Sequence, residues 1–126
     1  MKIYVEIGGR YKDNLKVERL FEKYEKRLQK TMAGLARKYK CKLPKSIILR
    51  PMYVKGDYYP FHGRAQYDRY NGWQILMCVE TCSEMHDKGM RSVLDHEAAH
   101  MIDCRLNGCM SHGEGFKEVY AACKAM

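Results

Sequence analysis

The residues best suited to chemistry are two histidines and a glutamate, His96, Glu97 and His100, in the sequence HEAAH. On a helix, His96 and His100 lie one turn apart on the same face, so both imidazoles can reach one metal ion while Glu97 lies beside it. A catalytic zinc takes about three protein ligands and leaves one position for water. The metal lowers the pKa of that water from about 16 to near 7, and a neighbouring carboxylate can then take its proton. The pattern predicts a zinc hydrolase site in which Glu97 is the general base.

The third ligand must come from another part of the chain, and its identity separates the classes of zinc protease. Metzincins have glycine and histidine where this chain has Asp103 and Leu106, so that class is excluded. A gluzincin would use a downstream glutamate, for which Glu114 and Glu118 are available. Three histidines and a water suit zinc, although manganese, cobalt and nickel use the same ligand types.

The local sequence favours His112 as the third ligand, with His86 as the reserve candidate. Asn107-Gly108 predicts the end of the metal helix, and the S-x-x-E pattern that begins at Ser111 predicts the start of the next helix. His112 would then lie in the first turn of that helix, after a short reversing loop. The positive end of the helix dipole would help to keep His112 in the neutral form that binds metals.

Apolar residues around the motif recur at helical intervals, which predicts that the HEAAH segment lies on a buried helix. They are Val93, Leu94, Ala98, Met101, Ile102 and Leu106. The metal helix would therefore have one face for the core and another for the metal.

Two motifs follow one another in the last third of the chain: HEAAH at 96–100 and, after eleven residues, HGEGFK at 112–117. This pair resembles the SprT-like metalloprotease family, which includes Spartan and whose signature is an HExxH helix followed by a His-Gly-x-x-Phe turn. The resemblance implies His96, His100 and His112 as zinc ligands and Glu97 as the catalytic base. It also implies peptide-bond hydrolysis and, as in the best-known members, protein targets that are bound or crosslinked to DNA.

The chain departs from that family in its cysteines. Many members carry a cysteine zinc ribbon after the protease core, whereas this sequence ends at Met126, which predicts a compact form without the ribbon. No two cysteines have the C-x-x-C spacing of a second zinc site. The cysteines are Cys41, Cys78, Cys82, Cys104, Cys109 and Cys123.

Composition sets the outer limits. A chain of 126 residues with 46% hydrophobic content predicts a single domain, residues 1–126. The N-terminal sequence lacks the apolar stretch of a signal peptide, and no run is long enough to span a membrane. We therefore expect a cytoplasmic protein that does not contact membranes and whose cysteines are reduced.

Charge is distributed unevenly along the chain. Residues 1–55 hold 16 Lys or Arg against 5 Asp or Glu, a net of +11, whereas residues 56–126 hold 7 against 10, a net of −3. Most of the basic half is one predicted helix from Asn14 to about Lys40, with apolar residues at spacings of three and four. Its basic residues could bind the phosphate backbone of DNA, or could simply form a solvated helix surface. They are Lys16, Arg19, Lys23, Lys26, Lys30, Arg37 and Lys38.

The segment between the two helices predicts a sheet. Strands are expected at Ser46–Val54, Arg64–Tyr70 and Trp73–Cys82, the last two forming a hairpin around Asn71-Gly72. A strand around Ile75 to Glu80 could pair with an extended substrate. The fold class is therefore α+β, a zincin-like core with a long N-terminal helix, a small mostly antiparallel sheet, the HExxH helix and a C-terminal helix.

Tyrosines are the candidates for stabilising the negative charge that develops on the substrate carbonyl oxygen. Tyr58, Tyr59 and Tyr120 could each do so. The aromatic residues between Tyr53 and Trp73 could line a cleft, stack on bases or pack the sheet, and Gly56–Gly63 is expected to be a loop at its rim.

Two other functions are open at this point. The first is a non-enzymatic nucleic-acid-binding module in which zinc is structural and the basic helix binds the nucleic acid. The second is a metalloprotease with a regulatory target unrelated to DNA. Loss of cleavage in Glu97→Gln with metal retained would exclude the first, and absence of DNA stimulation would favour the second.

Overall fold

The computed structural model describes residues 1–53, 62–82, 87–108 and 110–126. It has the predicted α+β class, with three longer helices and a four-stranded mixed sheet. The elements are β1 (Lys2–Val5), a 3-10 turn (Gly9–Tyr11), α1 (Leu15–Tyr39), β2 (Ser46–Met52), β3 (Gly63–Asp68), β4 (Gly72–Cys78), α2 (Val79–Cys82), α3 (Asp87–Asn107) and α4 (Glu114–Lys124).

The sheet has the strand order β1-β2-β4-β3, and its pairing corrects one prediction. β1 pairs with β2 and β2 pairs with β4 in parallel, whereas only β3 and β4 are antiparallel. The expectation of a mostly antiparallel sheet is therefore wrong. The long α1 crosses over between β1 and β2, and such a crossover returns the chain in the parallel direction. The predicted hairpin is present, and Gly72 supplies the positive φ of +69° in its turn.

β4 is an interior strand, so it is not available for pairing with a substrate. Both of its edges are occupied, by β2 and by β3, and the strand ends at Cys78 rather than at Cys82. The consecutive residues Trp73, Gln74 and Ile75 are all buried, as in a strand covered on both faces. The proposed substrate strand at Ile75–Glu80 is therefore wrong, and β3 is the neighbouring edge strand.

α1 has the boundaries that its apolar stripe predicts. Asn14 caps its first turn by accepting a hydrogen bond from the N–H of Val17 at 3.2 Å, and Lys40 ends it with a left-handed φ of +50°. Its inward face packs against α3, α4 and β1. The buried residues of that face are Val17, Phe21, Tyr24, Leu28, Thr31, Met32 and Leu35.

α3 is attached to α1 by a buried polar cluster centred on Asp95. The guanidinium of Arg27 donates to both carboxylate oxygens of Asp95, at 2.7 and 3.2 Å, and the hydroxyl of Thr31 donates at 3.2 Å. Asp95 directly precedes the first histidine of the HEAAH motif. The cluster therefore limits rotation of α3 about its own axis, which determines where the motif points.

The apolar face of α3 completes the core beneath the motif. Leu94, Ala98, Met101 and Ile102 are buried there, as their spacing predicts. Val93 is half-buried, and the prediction is wrong for Leu106, which is exposed near the end of α3. None of the described helices is long and apolar enough to cross a membrane.

Candidate metal centre

Three histidine side chains converge on one point beside α3. His96 and His100 extend from successive turns of the helix, and His112 approaches from the loop before α4. The Nε2 atoms of His100 and His112 are 3.1 Å apart, and one nitrogen from each ring lies within 4.8 Å of the others. Nitrogens bound to one tetrahedral zinc at about 2.0–2.1 Å are about 3.4 Å apart. The donor set fits zinc after small side-chain adjustments.

The predicted start of the last helix needs correction. α4 begins at Glu114 with Gly113 as its N-cap, so His112 precedes the helix rather than lying in its first turn. The capping box predicted from Ser111 is absent from α4, and Ser111 Oγ instead accepts a hydrogen bond from the N–H of Gly113 at 3.4 Å. The helix stop at Gly108 is confirmed, with a φ of +77°. The chain reverses between Gly108 and Gly113, and this reversal brings His112 back over α3.

Gly115 allows α4 to lie close to α3. A Cβ atom at this position would come 2.5 Å from Oδ1 of Asp103 and even closer to the side chain of Asn107. Asp103 is fully buried and accepts a hydrogen bond from Nδ2 of Asn107 at 2.6 Å. Any larger residue would force these two side chains, or α4 itself, to move.

Phe116 forms the wall behind the histidines. Its ring is stacked on His100, with centroids 4.3 Å apart, and meets His96 edge-on at 4.9 Å. Gly115 and Phe116 both belong to the HGEGFK motif, but sequence reasoning assigned neither a role. The sequence feature that could have indicated their roles is a glycine inside a predicted helix, followed directly by a phenylalanine.

Glu97 lies at the base of a cleft of about 380 Å³. Its carboxylate is buried, with Oε1 3.0 Å from Nδ1 of His96. A Cβ at Gly63 would come 3.0 Å from Val93 and 3.3 Å from Cγ of Glu97, so the glycine allows β3 to lie against α3 beside the cleft. The lining residues are His62, Gly63, Ser92, Val93, His96, Glu97, His112 and Tyr120.

Comparison with known proteins assigns the chain to a family. The model of the SprT-like family matches residues 2–126. The chain belongs to the SprT-like family. Searches of curated proteins and of solved structures found no match. Membership is consistent with a metallopeptidase type of enzyme and with the metal that the three histidines could hold.

Burial favours the neutral form of the central histidine of this SprT-like protein. Desolvation lowers the pKa of His100, an effect that the carboxylates of Glu97 and Asp103 partly oppose. Nδ1 of His100 is buried and has no hydrogen-bond partner among the described residues. Neutral imidazole is the form that binds a metal ion.

Tyr120 is the predicted tyrosine that the described residues bring to the cleft. Its ring centroid is 5.4 Å from that of His96, and its hydroxyl lies 2.6 Å from Oγ of Ser92. It also donates to the carbonyl of Ser92 at 3.4 Å. Tyr58 and Tyr59 lie outside the described residues.

The other ligand candidates do not join the cluster. Glu114 is exposed and pairs with Lys117 at 3.7 Å, and Glu118 is exposed on α4. His86 lies outside the described residues, as do Cys109 and residues 56–61 of the predicted rim loop.

Proposed function

We propose that this SprT-like protein is a zinc-dependent metalloprotease that hydrolyses peptide bonds. The observation that carries the proposal is the convergence of His96, His100 and His112 beside the buried carboxylate of Glu97, at the base of a cleft open to substrate. Family membership across residues 2–126 supports the same chemistry.

The three imidazoles would hold the zinc, and Glu97 would act on the attacking water. Zinc, when bound, supplies Lewis acidity that makes a water nucleophilic near neutral pH. Glu97 takes a proton from the water as the oxygen bonds to the substrate carbonyl carbon. The same carboxyl group can return that proton to the leaving nitrogen as the carbon–nitrogen bond breaks, so Glu97 ends the cycle ionised.

The edge of β3 is the best support for an extended substrate. β3 pairs with β4 on one side, and no described strand lies on its other side. Gly63, at the start of β3, lies against Glu97. A peptide that adds to this edge would pass over the histidines with its backbone hydrogen-bonded to the strand.

DNA-associated proteins are the proposed targets. α1 presents exposed lysines and arginines on its outer face, including Arg19, Lys23, Lys26 and Lys30. Such a surface binds phosphates without reading sequence. The same surface supports the alternative of a nucleic-acid-binding module with a structural zinc, and cleavage distinguishes the two. A metalloprotease acting on a regulatory protein unrelated to DNA would cleave equally well without DNA.

Metal-dependent cleavage of an unfolded protein tests the proposal. Wild type, a chelated sample and the same sample after addition of one equivalent of zinc would be incubated with an unfolded DNA-binding protein, with and without single-stranded DNA. We expect cleavage with zinc, loss after chelation and recovery on zinc addition. Mass spectrometry should find new amino and carboxyl termini at peptide bonds. If zinc-loaded protein leaves the substrate intact in all conditions, the protease assignment is wrong.

A further inference from the structure

A second cavity, of about 560 Å³, lies beside the catalytic cleft and is lined by basic side chains. Arg27 comes from α1, Lys88 and Arg91 come from the beginning of α3, and Lys124 is the last residue of α4. Residues distant in the sequence therefore bring four cations to one concave site. We refer to it as the basic cavity.

Three of these cations have no anionic partner in the described part of the chain. Arg27 is neutralised by Asp95, the one acidic side chain among the described residues that line the basic cavity. Lys88, Arg91 and Lys124 are exposed and form no ion pair with any described residue. They make up three of the seven Lys or Arg in residues 56–126, a segment with a net charge of −3. The basic cavity therefore gathers three of the few cations of an otherwise acidic segment.

The basic cavity adjoins the catalytic cleft through a shared wall. Ser92 lines both the cleft and the basic cavity, and on the cleft side its hydroxyl is hydrogen-bonded to that of Tyr120. Nζ of Lys124 lies 4.3 Å from the centroid of the Tyr120 ring. A polypeptide that leaves the cleft past Ser92 and Tyr120 therefore meets the cations next.

The distances of the cations from His96 along α3 indicate which residues of a substrate they could contact. At about 1.5 Å per residue, Arg91 lies about 7 Å and Lys88 about 12 Å from His96 along the helix axis. An extended peptide advances about 3.4 Å per residue. The cations are therefore within reach of a side chain about two to four residues from the scissile bond.

We propose that Lys88, Arg91 and Lys124 form a subsite that selects an acidic side chain two to four residues from the scissile bond. This inference rests on the proposed protease function. Lysine and arginine bind carboxylates through short, charge-assisted hydrogen bonds. A side chain is favoured over a nucleic-acid backbone because the cations converge on one cavity that opens beside the cleft. A backbone of repeated phosphates would need charges spread along a track.

Substrate preference tests the subsite. Fluorogenic decapeptides would carry Glu, Gln or Lys at each position two to four residues from the central bond. We expect wild type to cleave the best Glu peptide roughly 5- to 10-fold faster in kcat/KM than its Gln counterpart, the combined effect of a few exposed charge pairs. The variant Arg91→Glu/Lys124→Glu should lose this preference and favour Lys.

The matched control is Lys12→Glu/Arg69→Glu, which makes the same change in net charge at two exposed positions outside the cleft and the cavity. It should keep the preference for Glu. Thermal unfolding of both variants would exclude a loss of fold. Should the Arg91→Glu/Lys124→Glu variant unfold, Arg91→Gln and Lys124→Gln would be tested singly, and each should weaken the preference.

Three results would overturn the subsite. The first is equal cleavage of Glu and Gln peptides by wild type. The second is a preference for Glu that the control loses as fully as the test variant, which would make it an effect of net charge. The third is a lack of preference combined with binding of a single-stranded oligonucleotide that the Arg91→Glu/Lys124→Glu variant loses, which would assign the cavity to nucleic acid. If zinc-loaded wild type cleaves neither these peptides nor an unfolded protein, the proposed function itself fails.

Discussion

Side-chain contacts within the cleft differ between the neighbouring residues Glu97 and Tyr120, for which we propose different tasks. Glu97 is buried beside the histidines, where it can exchange protons with water and substrate. Tyr120 lines the same cleft, with its hydroxyl hydrogen-bonded to Ser92. The positions of His96, Glu97 and His100 were predictable because helix geometry alone relates them. That Tyr120 reaches the cleft depends on how α4 packs, which no local pattern determines.

Tyr120→Phe tests the role of that hydroxyl. If it donates to the developing oxyanion, its removal should lower kcat by about 100-fold with little change in KM. Steady-state kinetics on one peptide would measure both constants. Ser92→Ala is the control, because it removes a partner of the hydroxyl but leaves the hydroxyl in place. If Tyr120→Phe raises KM and leaves kcat unchanged, Tyr120 binds substrate rather than the transition state.

The packing of whole elements determines whether the third histidine meets the other two. α1 was predictable from end to end because its apolar stripe and its capping residue are local signals. The parallel pairing of β2 with β4 was not predictable, because β3, the hairpin partner of β4, lies between these two strands in the sequence. The approach of α4 to α3 depends on Gly115, whose importance appears only when Asp103 and Asn107 face it.

Gly115→Ala should displace α4 from α3. The new methyl group would overlap the buried carboxylate of Asp103, so we expect α4 to move and take His112 and Phe116 with it. We expect zinc affinity to fall by roughly 10-fold or more, as it does when residues that orient the ligands of other metal sites are replaced. Competition with a fluorescent chelator would measure it. Gly113→Ala is the control, since a Cβ there makes only an ordinary contact with Ser111 at 3.4 Å. Equal zinc affinity in the two variants would contradict this role of Gly115.

Asp95→Asn should weaken the attachment of α3 to α1. The substitution leaves the partly buried guanidinium of Arg27 without its counterion, and breaking such a pair costs about 3 kcal/mol. Urea unfolding of the metal-free protein would measure the loss. The control is Glu114→Gln, which removes an exposed ion pair with Lys117 and should change stability little. A change no larger than that of the control would mean that apolar packing alone holds the two helices together.

At the scale of the whole molecule, the three-histidine cluster joins parts of the chain that otherwise meet only through packing. His96 and His100 belong to α3, whereas His112 belongs to the loop that leads into α4. α4 in turn packs against both α1 and α3. A metal bound by all three histidines would therefore stabilise the arrangement of the helices as well as provide the chemistry.

Zinc should raise the thermal stability of the protein. A ligand that binds only the folded state at 100 times its dissociation constant adds about 2.7 kcal/mol, which corresponds to a rise in Tm of several degrees for a chain of this size. Calorimetry of chelated and zinc-loaded protein would measure the difference. His112→Ala should lose most of the rise, because α4 is then no longer tied to α3 through the metal. An equal rise in His112→Ala would place the zinc elsewhere.

Cleavage by Glu97→Gln is the most direct test of the central claim that three histidines hold zinc while Glu97 moves the proton. Zinc content and the rate of peptide-bond cleavage would be measured on the same samples of wild type and Glu97→Gln. The account predicts about one zinc in both proteins and a cleavage rate at least about 100-fold lower in Glu97→Gln, since the variant keeps the ligands and loses the base. Cleavage at the wild-type rate by zinc-loaded Glu97→Gln would contradict it.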